Sequence, residues 1–429
     1  MKVLVTGAYG FIGSHIVAAL LRAGHEPLAA VRAGRVESSL PGVPAVACDF
    51  SRDVEAITWR PRLDGIDAVV NCAGILRETG AATFQRVHVE VPLALAAACR
   101  EAGVGRFVQI SALGHPDDGR FIASKHEGDQ KLLECGLDAV VLRPSVVCSP
   151  QASYGGTTLL RGLAALRWIP LPGRGEQRLQ PLDVEDLAQA VVAALSRDDA
   201  VGQCLELGGP EAMTLRRYLT LWRRWLGLGD ARFILVPKVL AYLGAWLGEH
   251  LARGPLGLTM WRMLERGSVV ASGSFDRAQA LLDWSPRPLE AALSQAPASS
   301  ADRLQARSVF LQPVLRFVLA ATFLASGVVG LFLPDEQVAA LFSHSVLPMD
   351  AAPALSLFGS IADIVLGLWL LSGRRPRAAL TAMALLVLGY TVFIGALLPA
   401  AWLDPFGGLL KNGVILVAIA LAAVGAERQ

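Results

Sequence analysis

The chain is 429 residues long, enough for two or three domains, and its net charge of +2 excludes the strongly basic surface of a nucleic-acid-binding protein. It is 53% hydrophobic and only 18% charged, against roughly 25% charged in soluble domains, and the deficit sits at one end. Residues 309–429 carry six basic and six acidic side chains, and all the others lie in residues 1–308.

The first thirteen residues are the most informative. Val3-Leu-Val5 reads as a strand expected over 2–6, and it runs into glycines spaced by three, Gly7, Gly10 and Gly13. A helix pattern follows over 11–23 and stops at Gly24. In such a strand–turn–helix unit Gly7 permits the turn, Gly10 lets a pyrophosphate approach bare backbone, and Gly13 lets helix and strand pack closely. The helix then aims its N-terminal N–H groups at the phosphates. A glycine triplet alone also suits an ordinary turn; the flanking strand and helix favour dinucleotide binding.

Further strands are expected at 27–31, 45–48, 66–70, 106–111 and 138–143, and helices near 83–101 and 120–134. The alternation predicts an α/β fold, a doubly wound parallel sheet of the Rossmann kind, over residues 1–150. Residues 151–291 are less regular and read as a smaller substrate-side portion, with short pieces around 159–168 and 184–195. Residues 233–253 place Val236, Leu240, Leu243, Leu247 and Leu251 on one helical face beside Trp246, the pattern of a membrane-surface helix or equally of a packed one. Residues 292–308, rich in Ala, Ser and Gln, read as a linker.

Residues 309–429 contain four apolar segments: 317–333, 351–372, 378–401 and 409–426. A hydrocarbon core needs about 20 apolar residues of helix, so a four-helix transmembrane domain is expected. The connection Ser372-Gly-Arg-Arg-Pro-Arg377 is basic while the other two connections carry no Lys or Arg, which places both termini in the cytoplasm at the inner membrane. Nothing at the N-terminus reads as a signal peptide. The six scattered cysteines, Cys48, Cys72, Cys99, Cys135, Cys148 and Cys204, include no Cys-x-x-Cys and fit a reduced compartment; no metal site is expected. Arg316 is expected to snorkel from a helix end, and Asp363, in mid-span, is either functional or held by a neighbouring helix hydroxyl.

Several residues could bear on chemistry. The second strand ends Ala29-Ala-Val-Arg32, with Arg35 nearby and no acid, which favours the 2′-phosphate of NADP over the ribose of NAD. Asp49-Phe50 after the third strand could hold the adenine, and Asn71-Cys72-Ala73-Gly74 ends the fourth strand with small residues where backbone must lie near a cofactor.

Taken in order, Thr6-Gly7-Ala-x-Gly10-Phe11-Ile12-Gly13, Asp49-Phe50, Asn71-x-Ala73-Gly74, Ser111 and Arg143-Pro144-Ser145 resemble the extended or atypical short-chain dehydrogenase/reductase family over roughly residues 1–290. The group most resembled is the one related to the nicotinamide-nucleotide-binding accessory subunit of respiratory complex I. The tail, with Trp402-Leu-Asp-Pro-Phe-Gly-Gly-Leu-Leu-Lys-Asn412, resembles the DoxX-like membrane family. The first resemblance implies that the motif residues, with Arg32, Cys72 and Lys125, line a nicotinamide dinucleotide. It also implies Ser111 and Lys125 as catalytic, with a Tyr in the place that Phe121 holds. A phenyl ring moves no proton, which counts against alcohol–carbonyl chemistry. Tyr9 and Tyr154 lack the motif spacing, and His88 stands where extended members often have an Asn, or else is a core histidine. Three functions follow as expectations: hydride transfer to a quinone-like or other lipophilic acceptor, a non-catalytic nucleotide-binding scaffold or redox sensor, and a nucleotide-sugar epimerase.

Overall fold

The computed structural model describes residues 1–36, 40–251, 257–341, 351–403 and 407–426. The chain forms two compact units, Met1–Ala306 and Arg307–Gln429.

Short β-branched and alanine-rich runs build the sheet of the first unit: β1 (Lys2–Thr6), β2 (Glu26–Val31), β3 (Ala45–Ala47), β4 (Ala68–Asn71), β5 (Arg106–Ile110), β6 (Ala139–Pro144) and β7 (Cys204–Leu207). Their order is β7-β6-β5-β4-β1-β2-β3, and every pairing is parallel. Strand order therefore reverses between β1 and β4, and the crevice outside their carboxyl ends is where ligands bind in open α/β sheets. The near-continuous apolar strands are those of a sheet covered on both faces. One face packs Val3, Val5, Val70 and Val108 against α1 (Phe11–Arg22) and α4 (Val184–Ser196). The other packs Leu4, Val69, Phe107 and Val141 against α2 (Val91–Ala102) and α3 (Arg120–Leu133).

Three departures from the expectations have local causes. The helix expected near 83–101 begins with a π-helical turn over Arg86–Glu90, which carries His88 into the core. The edge strand β7 was not expected, because Cys204-Leu-Glu-Leu207 is short and alternates. A helix over Leu215–Trp225 was also unexpected; Thr214 caps it, and Tyr218 and Trp222 bury its inner face among interspersed arginines.

The stretch expected as one amphipathic helix begins with a strand, Phe233–Val236, paired with Ile169–Pro172, before α5 (Lys238–Leu251) starts. A strand fits Phe-Ile-Leu-Val, and Pro237 separates the two elements.

The second unit is helical: α6 (Ser300–Phe332), α7 (Ala351–Leu371), α8 (Pro376–Leu397) and α9 (Lys411–Gly425). The first three are long and apolar enough to cross a membrane. α9 spans 15 described residues, and at 1.5 Å per residue it falls short of a hydrocarbon core of roughly 30 Å. α6 starts inside the expected linker, so Arg316 sits within a helix rather than at its end. Close helix approach is bought with small residues: a Cβ on Gly327 would meet the Ser360 carbonyl oxygen at 2.5 Å. Asp363 is buried and receives the Ser326 hydroxyl at 2.8 Å, the hydroxyl partner anticipated for it. Tyr390 donates to Gly359 O at 3.0 Å beside it.

In the first unit α3 crosses the π-helical turn with no room for a side chain, since a Cβ on Gly128 would stand 2.1 Å from His88 O. Gly128→Ala should therefore lower unfolding stability by about 1–3 kcal/mol through overpacking, measured by urea denaturation in detergent against wild type.

Candidate functional site

The carboxyl ends of β1, β4 and β5 are joined by a strip of buried polar side chains. Thr6 donates its hydroxyl to Asn71 Oδ1, Asn71 Nδ2 donates to Gln109 Oε1 at 2.7 Å, and Ala73 N donates to Asn71 Oδ1 at 3.3 Å. Every member is satisfied, so the strip fixes the loops that leave these strands.

Above it lies the glycine turn. Gly7 has φ +64°, and a Cβ there would touch the Cys72 and Ala73 backbone at 3.0 Å. A Cβ on Gly13 would stand 2.2 Å from Gly7 O, so α1 sits against the turn only because residue 13 is glycine. Gly10 is the N-cap of α1 and no side chain caps the helix. With Phe11 and Ile12 opening α1, uncapped N–H groups face a backbone bare of side chains, a seat that fits a dinucleotide's diphosphate.

The other end of the crevice is built from α3 and the π-helical turn. Lys125 is buried and donates to Ile110 O at 3.0 Å. Burial pulls its ammonium below the ordinary value, opposed by the Asp129 carboxylate. Ser111 donates to Asp129 Oδ2 at 2.6 Å, and Arg143 Nε donates to the same oxygen at 2.9 Å. Asp129 Oδ1 is buried with no hydrogen-bond partner among the described residues. Gly74 keeps the space beside Lys125 open, since a Cβ there would lie 3.2 Å from Nζ. Asp129 was not anticipated. Its signal is its spacing, one helical turn after Lys125 on the same face.

His88 is the most constrained titratable group. Ile75 N donates to its Nε2 at 3.2 Å, so the proton sits on Nδ1, which donates to Ser124 Oγ at 2.8 Å; Ser124 in turn donates to Phe121 O. Phe84 stacks on the imidazole at 5.4 Å and Phe121 meets it edge-on at 5.6 Å. Burial, with Lys125 nearby, pushes its pKa down to about 2. His88 is thus a neutral, core-facing histidine that holds the Ile75 end of the β4 loop.

The remaining expected residues lie around this crevice with varied engagements. Arg32 is exposed at the end of β2, and the side chain of Arg35 lies outside the described part. Asp49 turns back to accept from Ser51 N and Oγ, which holds its carboxyl below the usual range, and Phe50 packs edge-on to Trp59 at 5.7 Å. Cys72 and Ala73 follow β4 against the turn. Pro144 ends β6, and Ser145 is buried with its hydroxyl donating to Ser268 O at 2.8 Å. Tyr9 packs against the core and Tyr154 is exposed.

Residues 3–208 match the model of the NAD dependent epimerase/dehydratase family, and residues 320–420 that of the DoxX-like family. Over 266 residues the chain is 29% identical to NADH dehydrogenase [ubiquinone] 1 alpha subcomplex subunit 9, mitochondrial, of Mus musculus, covering 58% of this chain and 67% of that protein. It is 32% identical over 206 residues to the ceramide reductase of Caulobacter vibrioides, covering 44% of this chain and 60% of that protein. The dTDP-glucose 4,6-dehydratase of Bacillus anthracis, solved with NAD, shares the fold at a TM-score of 0.52 and 19% identity, over 69% of this chain and 95% of that one.

A neutral buried His88 has a signed consequence. Below about pH 6.5 the unfolded histidine takes up a proton that the folded one refuses, so stability falls as pH drops through that value. Between about pH 7.5 and about pH 5 this group should cost about 2 kcal/mol, and His88→Gln should flatten the pH dependence of unfolding by that amount.

Proposed function

We propose that this chain, which joins an epimerase- and reductase-like NAD-binding domain to a DoxX-like membrane domain, is a membrane-anchored oxidoreductase that passes hydride from NADPH to a lipophilic, quinone-like acceptor. The observation that carries the reading is the packing of Phe121 between Phe84 and His88, at 6.1 and 5.6 Å between ring centroids. A carbonyl substrate needs a protein acid to protonate its oxygen, a group worth about 10²–10⁴ in rate, and phenylalanine supplies none. A quinone accepts the hydride and draws the balancing proton from water to give the quinol.

Bound NADPH would supply the hydride; the chain's residues supply the seat. The glycine turn and the start of α1 hold the diphosphate, and Lys125 stands in the open space beside Gly74 where a nicotinamide ribose would lie. Ser111 and Arg143 hold Asp129 beneath it. The likeness to reductases supports redox chemistry, and the DoxX-like domain supports an acceptor dissolved in lipid. A second reading, a non-catalytic nucleotide-binding scaffold, draws on the same Phe121 and on the likeness to the NADH dehydrogenase subunit.

The exposed Arg32 would meet the 2′-phosphate of NADP. Titration calorimetry should show NADPH binding more tightly than NADH, and Arg32→Ala should weaken NADPH about tenfold, the worth of one charge-assisted contact, while leaving NADH unchanged.

The basic connection Arg374-Arg375-Pro376-Arg377 supports an inner-membrane protein whose N-terminal domain faces the cytoplasm, and the C-terminus returns to that side only when the short α9 also crosses as a fourth span. Reporter fusions after Gly373 and Gln429 should both report cytoplasm; a split result would remove one span from the scheme.

Turnover separates the readings. Purified protein in detergent should oxidise NADPH with quinones and not with simple carbonyls, and Gly10→Val should abolish this by blocking the diphosphate seat. Phe121→Tyr should leave quinone reduction unchanged and raise carbonyl reduction towards the 10²–10⁴ range of a recovered acid. Tight NADPH binding with no turnover of either class would favour the scaffold.

A further inference from the structure

We infer that the strand Phe233–Val236 and helix α5 dock the first unit onto the headgroup layer of an anionic bilayer, a membrane contact separate from the spanning helices. α5 is packed in the reverse of the usual sense. Its inward residues are small: Ala245 is buried, and Ala241 and Gly248, on the same helical face, are half-buried. Its large apolar residues point outward, with Val239 76% exposed and Leu240, Leu243 and Leu247 exposed as well. A helix of a water-surrounded domain buries its leucines and shows its small or polar residues. The adjoining strand also shows large apolar side chains, with Ile234 and Leu235 both about half exposed.

The chemistry around this apolar face selects the occupant. Tyr242 and Trp246, the amphipathic aromatics of membrane interfaces, are exposed on α5. Beside Leu235 a cavity of about 370 Å³ is lined by Arg174, Arg216, Gly175, Thr214 and one acid, Glu176. Arg216 lies over the Phe233 ring at 4.6 Å, and Arg232 over the exposed Trp168 at 5.6 Å. The acids nearest α5 are engaged: Glu265 with Lys238 at 3.2 Å, and Glu249 with the Leu258 N–H. An apolar face flanked by interfacial aromatics and arginines matches acyl chains below and lipid phosphates above. The chain's own apolar helices hold this unit near a bilayer, so even a weak surface contact is populated.

The test uses full-length protein in lipid nanodiscs. Leu243→Cys carries an environment-sensitive fluorophore, quenched by spin-labelled lipid. Asp117→Cys, at an exposed polar site, is the control, and labelled wild type gives the background from native cysteines. NADPH binding checks that each variant is folded, with Leu240→Cys as the alternative position. Quenching several-fold above the Asp117 position is expected, rising when phosphatidylglycerol replaces phosphatidylcholine. Arg174→Glu should remove that rise without changing NADPH affinity. Quenching at Leu243 equal to that at Asp117 would overturn the proposal. So would a label shielded only in nanodiscs that hold two copies, which would make the face a self-association surface. Because the readout is depth and not turnover, it stands or falls apart from the oxidoreductase reading.

Discussion

The rest of the nucleotide-binding unit depends on one steric constraint, the contact of α1 with the turn that precedes it. Gly13 lies so close to Gly7 O that a single methyl group would force the two apart. That closeness lets the N-terminus of α1 sit at the carboxyl end of β1, over the point where strand order reverses. Gly7, at positive φ, in turn presses on the backbone of Cys72 and Ala73, which couples the turn to the loop after β4. The same loop is held from below by Asn71 and from the side by His88. A change in any of these would be felt in the others, because the space between them is already filled by backbone.

The parts of this arrangement legible in the sequence were those whose signal is local. The glycine spacing, the apolar strands and the helix stop at Gly24 each act within a few residues, and the expected elements from β1 to β6 lie within a few residues of the observed ones. The reversed packing of α5 was not legible, because periodicity identifies an apolar face without saying which face is inward. The role of Asp129 was hidden for a related reason: its partners Ser111 and Arg143 come from β5 and β6, and only the folded sheet brings them to one carboxylate oxygen. The likeness to a reductase family supplied Ser111, Lys125 and the Phe121 departure, none of which composition or spacing would have singled out.

The site's electrostatics explain why Phe121 is tolerated. Around a catalytic tyrosine, a nearby ammonium favours the phenolate and is itself stabilised by it. Here the aromatic position is apolar, and the Lys125 ammonium instead leans on the Ile110 carbonyl and the Asp129 carboxylate. The neutral His88 adds no second positive charge, since its two ring nitrogens are committed to Ile75 and Ser124. Phe84, His88 and Phe121 then form a small aromatic cluster on the crevice side of α3. A crevice built in this way offers a bare backbone turn and uncapped helix N–H groups at one end and an apolar wall at the other.

That division of labour recurs in the chain as a whole. The first unit holds charged pairs such as Arg143–Asp129 and Arg62–Asp53, whereas among the described residues of the second unit a single carboxylate, Asp363, is buried, and it has a hydroxyl partner. An ionisable group there costs roughly 2.5–3.5 kcal/mol on insertion scales, so a hydrogen-bonded carboxyl is the tolerable form. Ser326 on α6 donates to it, and Tyr390 on α8 lies at 3.4 Å with its one hydroxyl proton directed mainly to Gly359 O, so the carboxyl is a fixed point of the bundle's packing. The small residues that line the same seam, Gly327, Gly330 and Gly367, supply close approach without hydrophobic drive. Both units thus solve the same problem, holding a polar group away from water, and each does so by bringing its hydrogen-bond partners from different elements of the fold.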